Sequence, residues 1–173
     1  MRAMREFDDT AEDLRAAFDD LRAAGGEEPR QRRALKAVLD ELYRVQEYRC
    51  GRDKVNKQAY FAHAESCDPG KVTLGIVFLR GVLTHHVIKQ VRPTKQPLYP
   101  SEDLFPSEDL SPGSNFVWIS GTDLLKVHTP EPQFANSQPY YVSHVGGQLM
   151  LPTIRQAIDF LLTDPVVVKL EDV

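Results

Sequence analysis

The sequence predicts a mainly α-helical domain: an antiparallel four-helix bundle with an irregular, short-strand insertion before the last helix. Three observations lead there. Apolar residues recur at spacings of three, four and seven through the first two segments, with charges between them. The stretch VTLGIVFLRGVLTHHVI, Val72–Ile88, carries a single formal charge at Arg80. As a helix it is apolar on every side, and such a helix belongs inside a fold. Between residues 93 and 148, prolines and glycines break up every periodic pattern.

The elements follow in order. Phe7, Leu14, Phe18 and Leu21 mark a first helix from Met4 to Ala24, ended by Gly25-Gly26. Pro29 opens a second, to about Tyr48, with Leu35, Val38, Leu39, Leu42 and Val45 as its apolar stripe. Its first turns carry Arg30, Arg32, Arg33 and Lys36. Basic residues there oppose the helix dipole, which reads as a solvated face or as a hint of an anionic partner. NKQAYFAHAES can form a short helix, closed by the turn signal Asp68-Pro69-Gly70. A third long helix is expected from Lys71 to Gln90, stopped by Pro93 and Pro97.

The tandem hexapeptides PSEDLF and PSEDLS, residues 100–111, read as an irregular acidic loop, with a partner-docking segment as the other reading. NFVWIS, Asn115–Ser120, reads as a strand. Leu124–His128 suits a second strand or a helical turn, and Tyr140–Val145 a strand packed on Trp118. Pro152 then starts a last helix over Thr153–Leu162, and the valine-rich tail adds a strand or trails off. The whole makes one domain over 1–173, with a helical core at 4–92 and 149–163 and an irregular/β insertion at 93–148.

Composition narrows the function classes. The chain of 173 residues has a formal charge of −4, which argues against a strongly basic nucleic-acid binder. Two cysteines, Cys50 and Cys67, make no disulfide framework, and the N-terminus has no apolar signal segment. Arg80 at the centre of the apolar stretch disfavours a membrane span. A cytoplasmic protein with no cofactor and no membrane partner is the expectation.

Arg80 is the principal candidate for chemistry. Burying an arginine without a partner costs several kcal/mol or more. It therefore needs a strong partner, an internal cleft or an interface. On an ideal helix His85 lies about 140° from Arg80 and His86 about 120° the other way, with Thr84 almost directly above. A two-fold axis along this helix can bring Arg80 of one copy near His85 of another. Arginine and histidine together suit RNA cleavage without a metal. Histidine supplies a base near neutral pKa for the 2′-hydroxyl, and arginine a fixed cation for the phosphate. The plain alternative pairs Arg80 with an acid such as Glu41, Glu47 or Asp159.

The run R-G-V-L-T-H-H, Arg80–His86, after apolar GIVFL, resembles the HEPN superfamily motif of arginine, four to six residues, then histidine. LYRVQEYRCG at Leu42–Gly51, and the pattern Tyr141, His144, Gly147, are similar to a group of small bacterial HEPN-like proteins of unknown role. The resemblance covers residues 30–92 and, more weakly, 140–162. It implies a helical bundle, a homodimer through the 71–90 helix, and ribonuclease activity in a toxin–antitoxin or defence system. Arg80 would contact the scissile phosphate, His85 or His86 would transfer the proton, and Thr84 would support substrate binding. An antitoxin or other protein is then a candidate partner. Active members commonly carry Asn, Asp or His after the arginine, where this chain has Gly81. That difference favours a second expectation, a non-catalytic binding module for a protein or RNA partner. A third, a zinc site at His63, Cys67, His85 and His86, rests on the H-x-x-x-C spacing alone. The metal expectation is none.

Overall fold

The computed structural model describes residues 2–24, 28–51, 54–82, 88–90, 116–127 and 132–169. Among these the chain is mainly helical. Two long helices, α1 (Arg2–Ala23) and α2 (Glu28–Arg49), form a hairpin. Phe7 near the start of α1 meets the ring of Tyr48 at the end of α2, 5.1 Å between centroids, so the two run antiparallel. Their stripes, Leu14, Leu21, Leu35, Val38, Leu42 and Val45, are buried as the spacing predicts.

The NKQAYFAHAES segment is a full helix, α3 (Lys54–Ser66). After Cys67 the chain turns straight into α4 (Asp68–Phe78), with proline in its first turn. Every residue from Val72 to Leu79 is buried. α4 packs against α2, α3, α7 (Met150–Thr163) and the segment before α7, so an all-round apolar helix sits in the interior as expected.

Two glycines set how closely its neighbours approach. A Cβ on Gly75 would lie 2.7 Å from Val145 Cγ2 and 2.9 Å from the Tyr141 nitrogen. A Cβ on Gly70 would run into the Ala64 backbone of α3. α3 and the 141–145 turn reach van der Waals contact with α4 only because those side chains are missing.

The expected helix over 71–90 is corrected. α4 ends at Phe78, and Leu79–Gly81 is a single 3-10 turn closed by Val82 N–H donating to the Leu79 carbonyl, 3.0 Å. Val82 is already extended (φ −101°, ψ 131°). The chain is extended again at β1 (Ile88–Gln90), which pairs antiparallel with β2 (Phe116–Trp118), Ile88 opposite Trp118. Apolarity is shared by buried helices and buried strands, so composition alone did not locate the change. Gly81 and the β-branched Val82 and Ile88 are the residues that favour leaving the helix.

Of the region expected to be an insertion, the described residues 116–127 and 132–148 contribute buried side chains to the core. β2 carries the fully buried Trp118, and α5 (Gly121–Val127) buries Leu124. A 3-10 segment (Pro132–Ser137) leads into the short helix α6 (Gln138–Tyr140) and a π-helical turn (Tyr141–Val145). Tyr140–Val145 is thus helical, where a strand was expected. Tyr141 and Val145, four apart, are buried, while Val142 and Ser143 face out. That is a helical spacing rather than an alternation. Tyr141 donates its hydroxyl proton to the Ile119 carbonyl, 2.7 Å, tying this turn to β2.

α7 starts three residues earlier than expected, at Met150, and the tail forms a short helix, α8 (Pro165–Lys169). At the far end of α7, Arg49 is buried with its Nε donating to the Leu161 carbonyl, 2.8 Å, and its guanidinium 3.9 Å over the Phe7 ring. One cation thus joins α1, α2 and the C-terminal turn of α7, where the helix dipole favours positive charge.

Gly75→Ala should lower stability by about 1–3 kcal/mol, the usual cost of overpacking a tight contact. Urea unfolding midpoints of the two proteins measure it, and an unchanged midpoint would show that α4 and the 141–145 turn are not in close contact.

Candidate functional site

Arg80 stands at the exit of the buried helix, on the 3-10 turn Leu79–Gly81. Its side chain is 39% exposed, so the arginine has escaped the interior that encloses the residues before it. Its guanidinium carbon lies 3.7 Å from the centroid of the Tyr43 ring, and its Nε lies 3.6 Å from Asp40 Oδ1. Both partners come from one face of α2, three residues apart. A cation stacked on a half-exposed tyrosine contributes about 0.5–1 kcal/mol, and an exposed ion pair about 0–1 kcal/mol.

Tyr43 is itself held. Its hydroxyl donates to Glu47 Oε1 at 2.6 Å, one helical turn on. That hydrogen bond, then burial and the Glu47 charge, push the phenol above its ordinary pKa, while Arg80 pulls the other way. The phenol stays protonated and donates to Glu47, which fixes the ring on which Arg80 lies.

Arg80 therefore has its partners inside its own chain, as the plain reading of the sequence had it, although with Asp40 in place of Glu41, Glu47 or Asp159. Glu41 instead pairs with Arg44, 3.1 Å. Thr84, His85 and His86 lie outside the described residues. The helical angles between them and Arg80 no longer apply, because the helix has ended by Phe78 and Val82 is extended. The apolar surface of α4 is spent within the chain, so this helix offers no apolar face for a second copy.

The zinc reading draws no geometry from its described members. His63 Nε2 lies 3.0 Å from Asp164 Oδ1, and its ring stacks on Phe160, 5.8 Å between centroids and 17° between planes. Cys67 sits at the start of α4. Among the described residues, no group of three or more His, Cys, Asp or Glu converges as a metal site would. Cys50 is buried beside Tyr60, and desolvation raises its thiol to about 12, which makes it a small apolar group rather than a nucleophile.

Two polar clusters were not foreseen. Ser143 donates to the Pro139 carbonyl, 2.7 Å, and lies 2.6 Å from His144 Nδ1. With the serine proton committed, the contact is a hydrogen bond only in the tautomer or charge state that carries a proton on Nδ1. The second is His63 with Asp164, whose carboxylate also accepts from the Val166 and Val167 amides at 2.9 and 3.1 Å. The sequence signal was Asp-Pro after an apolar stripe, a helix stop followed by a helix start.

Comparison with known proteins adds no relative: no protein-family model, curated protein or solved structure matches the chain. No described helix is long and apolar enough to cross a membrane.

The pH dependence of Asp164 can be assigned a sign. Burial raises its carboxyl pKa, but the Val167 amide, His63 and the Val166 amide together outweigh it and hold the group below its ordinary value. A depressed folded pKa contributes stability that is complete above the unfolded pKa, about 3.9, and is lost as pH falls through the folded value. The stability gap between wild type and Asp164→Asn in urea should therefore be widest near neutrality and shrink below about pH 4. A gap that is constant with pH contradicts the assignment.

Proposed function

We propose that the chain is a HEPN-like helical module, with α1, α2, α4 and α7 as its bundle helices, that binds a protein partner without catalysing a reaction. One observation carries this reading: Arg80, the motif arginine, is engaged by Tyr43 and Asp40 of its own chain. A guanidinium that must contact a scissile phosphate works best when it is held ready for that phosphate. Here a carboxylate occupies the position beside it, and any phosphate would have to displace Asp40 or accept its repulsion.

Three further facts support the same reading. The residue after Arg80 is Gly81, in place of the polar residue of active members. The helix that would align arginine and histidine ends at Phe78. The net charge of −4 favours a protein over RNA as the partner, since RNA binding draws on an excess of cations. An antitoxin-type or other regulatory protein fits that description.

The second reading is a metal-independent ribonuclease of a toxin or defence system, with Arg80, His85 and His86 as its catalytic groups. The observation in its favour is the 39% exposure of Arg80, five positions before His85 in the sequence. A homodimer would then have to form through the segment after α4 rather than through α4.

The two readings separate in one assay. Purified wild-type protein is incubated with structured and single-stranded RNA in the presence of a chelator, alongside Arg80→Ala and His85→Ala. Binding without catalysis predicts intact RNA in all three. Cleavage by wild type, lost in both variants while helical content is retained, establishes the ribonuclease.

A further inference from the structure

The C-terminal end of the described chain differs in construction from the helices it rests on. α7 is fourteen residues long and buries eight of them. α8 has five residues and packs on α7 and α3. Val167 is fully buried, while Pro165 and Val166 face solvent. An isolated five-residue helix is far below the length that sustains itself in water.

Its first turn is held by one atom. Asp164 Oδ1 accepts from the Val166 amide, the Val167 amide and His63 Nε2, at 2.9, 3.1 and 3.0 Å. The first two bonds cap α8, and the third joins that cap to α3. His63 is positioned for this by its stack on Phe160 of α7. The side chains of His63 and Asp164 are each 22% exposed, so water has only partial access to the contact.

We infer that α8 is a strap that opens independently of the rest of the fold, and that the His63–Asp164 contact is the latch that sets how often it opens. Segments with few buried side chains and caps made by single side chains populate the low end of local stability. With the latch intact, opening the capped turn must break the His63 hydrogen bond to Asp164 Oδ1 and expose the buried Val167. Without His63, the carboxylate still caps α8, but the hydrogen bond that ties the capped turn to α3 is gone. The open strap exposes Val167 and the parts of α7 and α3 on which α8 packs.

Hydrogen exchange on the full-length chain tests this, resolved to peptides covering α7 and α8. In wild type, α8 amides should exchange at least tenfold faster than Ile154–Leu161. His63→Phe keeps an aromatic ring on Phe160 but has no nitrogen to bond Asp164. It should raise α8 exchange about tenfold, the loss of one charge-assisted hydrogen bond, and leave α7 unchanged. Asp164→Ala removes latch and cap together and should raise it further. The inference is overturned if α7 and α8 exchange at one rate and shift together in the variants. It is equally overturned if His63→Phe exchanges like wild type, which would leave His63 only a packing role.

Discussion

The rest of the structure depends on the complete burial of α4. From Val72 to Leu79 every residue is buried, so the helix must be enclosed by other parts of the chain on every side. α2, α3, α7 and the 141–145 turn supply the enclosure. Gly70 and Gly75 decide how near two of them come. Burying so many aliphatic groups contributes on the order of 1.5–3 kcal/mol for each large side chain. That gain explains why the described residues between 116 and 148, with little periodicity of their own, still pack against the helices.

The same burial explains the position of Arg80. An apolar helix can continue only while its residues suit the interior, and an unpartnered guanidinium does not. The chain leaves the α-helical path just before it, and the 3-10 turn brings the side chain out onto α2. There Tyr43 offers a ring face, Asp40 a carboxylate, and Glu47 keeps the tyrosine in place. The oddity of one arginine in an apolar stretch is thus resolved by geometry within one chain, with no second copy needed to neutralise it.

Much of the helical part was legible. Leu14, Leu21, Leu35 and Val38 lie at the predicted spacing and are buried, and Gly25-Gly26 separates the first two helices. The end of α4 was not legible, because Val82 and Ile88 are as apolar as the helix before them and only their β-branching marks the change. The 140–145 turn misled through its aromatic and β-branched content, although Tyr141 and Val145 already showed a spacing of four. Of the candidate site, Arg80 and its need for a partner could be read from sequence. The identity of that partner could not, since Asp40 and Tyr43 lie some forty positions away and look like any other residues on a helix surface. The Asp164 cap was visible only as an Asp-Pro step, and its link to His63 requires the packing of α3 on the end of the chain.

The environment of the Arg80 guanidinium decides between an intramolecular and a phosphate-binding role. A side chain stacked 3.7 Å over a tyrosine ring lies in its shielding cone, so NMR of the arginine side chains measures the contact directly. The Arg80 Hε and Hδ resonances should lie upfield of those of exposed arginines, return to ordinary positions in Tyr43→Leu, and stay in place when RNA is added. Arg80 resonances at ordinary positions in wild type, or shifts that follow an RNA titration, would contradict the intramolecular role and return Arg80 to the role of a phosphate-binding group.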